Sequence, residues 1–221
     1  ATPTLPSTFD IAATDDNYKF PQVWKNDLAI DQKLPFGLVA SVEFMYNKNV
    51  NAVKYFDANL TPADRKFSGP DNRDRFAGSG VSGNSNQDKA LWINDNVSRA
   101  AVMTTTNEGY YWGATLKLEY PNKKGLFGMA AYTFSEAKDL MSAGSIAAGS
   151  WTSVRTVNGN NKLALSYADQ DAPGRAVGVI GYRLAYGGDF AGATSISIGY
   201  VGERRGFNSV AGYNTARYSF S

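Results

Sequence analysis

The chain has 221 residues and a formal net charge of +2, so its charge indicates neither a nucleic-acid partner nor a strongly acidic one. Cysteine and histidine are both absent, which excludes disulfides, cysteine nucleophiles, serine–histidine dyads and the usual zinc sites. The 22 glycines, 13 tyrosines and 12 phenylalanines favour β structure, because aromatic residues prefer strands and glycine prefers turns and bends.

The first predicted hairpin joins a strand near Gln22–Gln32 to one over Leu38–Asn47. Side chains on a strand alternate between its two faces, so every second residue shares a face. In the second of these strands, one face is apolar throughout, with Leu38, Ala40, Val42, Phe44 and Tyr46. The first strand is less regular, because its apolar residues share a face with Asn26.

The clearest strand is Tyr110–Tyr120, YYWGATLKLEY, which has one apolar face with aromatic residues at both ends. Its length of roughly 33 Å, tilted by about 40°, corresponds to a height of roughly 25 Å. This is the height of the apolar band on a transmembrane β-barrel. A soluble sheet has no reason to place aromatic residues at both ends of its buried face. The sequence therefore predicts a strand that crosses a membrane.

Three further strands repeat this pattern, over Leu126–Ser135, Ala176–Tyr186 and Thr194–Val201. In the five regular strands, the apolar face has no charged residue. The charged residues of these strands fall on the opposite face; they are Glu43, Lys117, Glu119 and Arg183.

The predicted connections alternate between short turns and long polar links. The short turns are Lys33–Gly37, Pro121–Gly125 and Gly187–Gly192, and the long links are Ala58–Asn96 and Glu136–Pro173. Outer-membrane barrels have this asymmetry, with short periplasmic turns and long extracellular loops. Six strands cannot close a barrel, because single-chain barrels begin at about eight strands. We therefore predict an all-β fold: three antiparallel hairpins from a larger transmembrane barrel.

Three segments resemble the barrel of Oar-like TonB-dependent outer-membrane receptors, relatives of the SusC-like transporters. They are KFPQVWKNDLAIDQKLPFG (Lys19–Gly37), GYYWGATLKLEYPNKKGLFGMAAYTFSEAKDL (Gly109–Leu140), and VNGNNKLALSYADQD (Val157–Asp171) with the following GRAVGVIGYRLAY. The order and spacing of the segments also match. The sequence departs from the family pattern where a His–Arg pair is expected, because it has Gly174–Arg175 there.

The resemblance implies a 22-stranded barrel around a plug, driven by TonB and the proton gradient, that imports a large nutrient such as a glycan, a peptide or a metal chelate. Residues 1–221 are then one part of the barrel, and the plug and the C-terminal strands are expected outside this chain. The implied partners are the rest of the receptor, the TonB complex through that plug, outer-membrane lipid, and a surface lipoprotein or another outer-membrane subunit.

Other motifs have ordinary interpretations. Gly78–Gly83 (GSGVSG) has the spacing of a dinucleotide-binding loop, but it lies among polar loop residues without the strand and helix that the motif requires. The pairs Asp15–Asp16 and Asp169–Asp171, and the stretches Pro70–Arg75 and Ile93–Asn96, suggest calcium ligands. Calcium needs six to eight oxygens from a defined loop, so solvated loop charge is the better interpretation, and bound calcium stays open.

The candidate ligand-binding residues are Trp92, Trp151 and Arg155, because flat aromatic rings and a guanidinium on loops can stack on a ligand. The alternative is that these side chains pack the loops against one another. Two further arginines, Arg175 and Arg183, are expected to face the lumen and to pair with Glu43, Glu119 or the plug, because charges in such a setting need partners.

The sequence predicts no enzymatic activity and no cofactor, and it assigns no residue to a metal site. The main alternative to a barrel is a soluble or surface β-sandwich that binds carbohydrate or protein, with its apolar faces packed about 10 Å apart. A secreted hydrolase is disfavoured, because no histidine and no nucleophile constellation is present.

Overall fold

The computed structural model describes residues 8–68, 70, 72–76, 91–154, 156, 158–187 and 192–204. The elements in these ranges are β1 (Phe9–Thr14), β2 (Gln22–Lys33), β3 (Val39–Asp57), β4 (Arg65–Lys66), β5 (Asp74–Arg75), β6 (Val97–Thr106), β7 (Tyr110–Lys123), β8 (Leu126–Asp139), α1 (Ala147–Ser153), β9 (Ser166–Tyr167), β10 (Gly174–Ala185) and β11 (Ala193–Arg204). None of the helical residues described forms a segment long and apolar enough to cross a bilayer.

The main sheet, called the wall below, is antiparallel and six strands wide. Side by side, its strands are β2, β3, β7, β8, β10 and β11, and β6 extends the line of β7 along β3. The strands β6 and β7 lie end to end along β3. Their register is continuous: Lys48 faces Tyr110 and Ala52 faces Thr106, so the two pairs are four residues apart on both strands. The sequence prediction of six strands in three hairpins is therefore confirmed.

The β7–β8 turn is shorter than the predicted Pro121–Gly125. The strand β7 continues to Lys123, and only Lys124 and Gly125 reverse the chain, with φ values of +51° and +92°. Two consecutive positive φ angles define the type I′ turn, whose twist matches the flanking strands. A register shift between Tyr120 and Lys123 absorbs the residues that the prediction had assigned to the turn.

Besides the two-residue strands β4, β5 and β9, two strands lie outside the predicted set. The strand β6 falls near the end of the first predicted link, and β1 pairs with it in parallel. Both lie beyond the predicted membrane-crossing spans, so neither requires an apolar face along its whole length. The strands β3 and β8 also run past their predicted ends, to Asp57 and Asp139. The wall therefore projects above the apolar region on the rim with the long links.

The pairing register collects the apolar residues on one face of the wall. Residues directly opposite each other on neighbouring strands share a face, so one row contains Ile30, Val42, Leu116, Tyr132 and Ala176. This face is open: Leu116 is 59% exposed and Ile198 is 74% exposed. The few buried apolar side chains of the described residues lie in the projecting part and its loops; they are Val97, Ala101, Met141, Trp151 and Val154.

The opposite face is polar. The hydroxyls of Thr115 and Thr133 lie 2.9 Å apart, and Lys117 Nζ lies 3.0 Å from Glu119 Oε2. The four charged residues of β2 also occupy this face according to the register; they are Lys25, Asp27, Asp31 and Lys33. The strand that appeared irregular in the sequence therefore follows the same rule as its neighbours.

In the described part of the chain, Arg175 and Arg183 form no ion pair with Glu43 or Glu119, so these two expected pairings are not found, and Glu119 pairs with Lys117 on its own strand. The register instead places Arg175 opposite Thr133 and Glu203, and Arg183 opposite Ser195. Two residues on one strand face are close neighbours, which explains why the local lysine reaches Glu119. Pairing of the arginines with a plug stays a prediction.

Candidate functional site

The outward apolar residues form a band that crosses the wall obliquely. On β2 the band is centred near Leu28, whose row meets β8 at Phe134; on β11 it is centred near Ser197, whose row meets β8 at Phe127. Between β2 and β11, the centre of the band thus shifts along the strand direction by about seven residues, or roughly 24 Å. The distance across the sheet between these two strands is five strand spacings, which is also roughly 24 Å. Equal displacements along and across the strands correspond to a tilt of about 45°, as in transmembrane barrels.

Above this band, both long links form hydrogen bonds with Asp57, the last residue of β3. Its side chain is buried, and Oδ1 accepts hydrogen bonds from the backbone N–H groups of Asn59 and Ala100, both at 2.9 Å. One carboxylate thereby ties the end of β3 to the first turn of the following link and to β6. Such buried acceptors are effective because each N–H would otherwise lose its bond to water.

In the second long link, Asn161 forms hydrogen bonds with the backbone of Asp57. Its Nδ2 donates to the carbonyl of Asp57 (2.7 Å), and its Oδ1 accepts from the N–H of Asp57 (2.8 Å) and from Trp151 Nε1 (2.9 Å). The amide thus pairs with Asp57 as one residue of a neighbouring strand would. The guanidinium of Arg99 lies 5.5 Å from the centre of the Trp151 ring, within cation–π range. We call Asp57, Asn59, Arg99, Trp151 and Asn161 the loop cap.

Asn59 joins the two ends of the first long link through hydrogen bonds. Its Oδ1 accepts from the N–H of Asn94 (2.8 Å), and its Nδ2 donates to the carbonyls of Asn94 and Val97. Next to this contact, Leu60 and Trp92 form an isolated antiparallel bridge. The amide of Asn94, which the sequence suggested as a cation ligand, also caps the N–H of Asn96 at 2.9 Å. No group of three acidic side chains among the described residues is placed to hold a metal ion.

Two carboxylates of the predicted acidic pairs also bind backbone groups. Asp171 Oδ1 accepts from the N–H of Ala137 (2.7 Å), where β8 runs past its partner β10, and burial raises the pKa of this carboxyl. Asp15 accepts from the N–H of Asn17 (3.0 Å) and from Thr104 Oγ1 (2.8 Å), and these hydrogen bonds lower its pKa. Both residues therefore have structural roles at strand and turn ends.

A family model described as an outer membrane beta barrel domain matches residues 1–209. The chain belongs to this outer membrane β-barrel family. No protein with curated function and no solved structure is significantly similar to it. Membership places the protein in the outer membrane, so the oblique apolar band is the surface that faces lipid. The barrel interpretation is thereby confirmed over the β-sandwich.

The three candidate ligand-binding residues of this outer membrane β-barrel have different settings. Trp151 is 8% exposed and packs within the loop cap, which is the arrangement that the alternative interpretation describes. Trp92 is half-buried and pairs with Leu60 where the two ends of the first link meet. Arg155 and the motif Gly78–Gly83 lie outside the described residues. Ligand binding by the three candidates stays a prediction.

The barrel also has a cavity of about 220 Å³ where β6 gives way to β7. Its lining includes Asn49, Thr106, Glu108, Asp139 and Met141. Pockets for drug-sized ligands occupy roughly 300–1,000 Å³, so this cavity is too small for a large nutrient.

Sequence reasoning missed the residues that organise the loops. Asp57 and Asn161 lie 104 positions apart, and α1, whose Trp151 donates a hydrogen bond to Asn161, packs against both β3 and β6. Weak signals were available in Asp57–Ala58–Asn59 and Ile93–Asn96, because Asp and Asn side chains commonly bind backbone groups two residues on. The identity of the distant partner had no local signal.

Proposed function

We propose that this chain forms part of the barrel of a TonB-dependent transporter that imports a large nutrient, such as a glycan, a peptide or a metal chelate. The observation that carries the proposal is the pair of open sheet edges. Within the described part of the chain, β2 pairs with β3 alone and β11 with β10 alone, and each has 12 residues. Two such edges call for further strands, because proteins avoid exposed edges and barrels remove them by closure.

Two features favour a large transporter over a small barrel. A small barrel of eight strands fills its interior with side chains, whereas larger barrels enclose a channel or a plugged lumen. The inward face here has charged and hydroxyl side chains, including Lys117, Glu119, Thr115 and Thr133, which suit a water-filled or plugged lumen. The resemblance of three strand–turn–strand segments to Oar-like and SusC-like receptors supports the same class. We expect the protein to have no catalytic activity.

The decisive experiment measures uptake with and without energy coupling. The full-length polypeptide would be expressed in a Gram-negative host with a functional TonB complex and in a matched host that lacks TonB. Glycans, peptides and metal chelates too large for passive porins would be supplied as the limiting nutrient. We expect one class to support growth only when both the polypeptide and TonB are present. Growth that depends on the polypeptide and not on TonB would refute the transporter proposal and leave a passive barrel.

The orientation can be tested separately with two single-cysteine variants, because the natural chain has no cysteine. Gly144 lies in the second long link and Gly187 at a short turn; both are exposed, and a side chain added at either meets no atom within 4 Å. We expect a membrane-impermeant maleimide to label Gly144→Cys on intact cells and Gly187→Cys only after lysis. The polypeptide without either substitution is the control. Labelling of Gly187→Cys alone on intact cells would invert the orientation.

A further inference from the structure

A row of alternating aromatic and basic residues starts at the upper edge of the apolar band on β2 and, because the strands are tilted, rises away from the band towards β9, on the same outward face. In register order it contains Trp24, Lys48, Tyr110, Lys138 and Tyr167. We call these five residues the lysine–aromatic row. It was not visible in the sequence, because the predicted strands ended at Asn47 and Ser135, one and three residues before the two lysines.

The contacts within the row show that its members share one surface. Lys138 Nζ lies 4.9 Å from the centre of the Tyr167 ring and 5.9 Å from that of Tyr110. The next row towards the membrane contains Asn26, Tyr46, Trp112 and Glu136. Neighbouring rows on one face are separated by roughly 7 Å along a strand. Because the strands are tilted by about 45°, each strand-to-strand step along a row also rises by roughly 3 Å, so Lys138 lies roughly 7 Å higher than Lys48. Lys48 therefore lies just beyond the aromatic edge of the band, at the depth of the lipid headgroups, and Lys138 lies above it.

The lysine–aromatic row and the next row together contain two lysines and one glutamate. Lys138 is 3.5 Å from Glu136 Oε2, and Glu136 Oε1 accepts a hydrogen bond from the Tyr110 hydroxyl at 2.5 Å. No carboxylate of the described residues lies within ion-pair distance of Lys48, so Lys48 is the lysine of the row without a carboxylate partner. A cation without a carboxylate partner, between Trp24 and Tyr110 at a membrane surface, is suited to an anion carried by the membrane itself.

We propose that the lysine–aromatic row binds the phosphate groups of the outer-leaflet glycolipid, with Lys48 as the main phosphate contact and Lys138 as a second. The aromatic rings pack against the sugar and the upper acyl chains, as aromatic residues do at membrane interfaces. The choice of leaflet depends on the proposed orientation, in which the long links are extracellular. The row lies on the rim with those links, so its lipid is that of the outer leaflet.

The test compares lipids that differ in phosphate. The full-length polypeptide would be purified in detergent, and its binding of bisphosphorylated lipid A, dephosphorylated lipid A and phosphatidylglycerol would be measured by native mass spectrometry. We expect the bisphosphorylated lipid to bind most tightly. The double variant Lys48→Gln/Lys138→Gln should reduce this affinity by between about fivefold and about 25-fold, because one lysine near an anionic surface contributes about fivefold. The variant Lys48→Arg/Lys138→Arg should keep most of it.

The matched control is Lys25→Gln. Lys25 belongs to the adjacent row, with Asn47, Tyr111 and Ala137, and lies on the inward face. Its substitution should leave lipid affinity unchanged, and heat-modifiable mobility on gels would verify that every variant is folded. An unchanged preference in the double glutamine variant, or an equal loss in Lys25→Gln, would overturn the proposal. Equal binding of phosphatidylglycerol would also overturn it, independently of whether transport depends on TonB.

Discussion

Replacement of Leu116 by arginine is expected to impair membrane assembly far more than replacement of Thr115 by arginine. Leu116 is 59% exposed in the middle of the lipid-facing band, between Val42 and Tyr132 on the neighbouring strands. An arginine at this depth costs roughly 2–4 kcal/mol, because the hydrocarbon offers no partner for the charge. The folded fraction, measured by heat-modifiable mobility after reconstitution in lipid, should fall accordingly.

Thr115 is the matched control, because it is the adjacent residue on the same strand. It faces Glu43 and Thr133 across the sheet on the polar inner face. An arginine at this position can meet water or the Glu43 carboxylate, so a small effect is expected. Equal damage from both substitutions, or more damage from Thr115→Arg, would show that the two faces are assigned the wrong way round.

Replacement of Asp57 by alanine is expected to open the loop cap and to leave the membrane wall intact. The substitution removes the acceptor for the N–H groups of Asn59 and Ala100, and each buried donor left without a partner costs roughly 1–3 kcal/mol. Hydrogen exchange of these two amides should become faster by at least an order of magnitude. Limited proteolysis should cut both long links more readily, while the heat-modifiable mobility of the barrel stays unchanged.

Two variants separate this effect from a general loss of charge. Asp57→Asn keeps an oxygen that can accept both bonds, so it should protect the amides almost as well as aspartate. Asp64→Ala removes a carboxylate that pairs with Arg65 on the surface of the same link, where an exposed pair contributes about 0–1 kcal/mol. Rapid exchange in Asp64→Ala as well, or slow exchange in Asp57→Ala, would contradict the role assigned to Asp57.

The sequence alone determined the membrane wall. Alternation over Tyr110–Tyr120 and its equivalents is a local property, because each residue's face depends only on its position along its own strand. The position of the β7–β8 turn was also accessible, though not its length, because glycine at a position with positive φ, such as Gly125, is a local requirement. For this reason six strands, three hairpins and the charge-free face could be predicted from the residues.

Only the tertiary structure decided what happens above the membrane. The strands β1 and β6 have no membrane to cross, so their sequences need no regular alternation, and their pairing depends on partners far away in the chain. The loop cap joins Asp57 to Asn161 across 104 residues, and no local pattern specifies such a contact. The lysine–aromatic row and the oblique course of the apolar band are properties of register between strands, which a single strand does not contain.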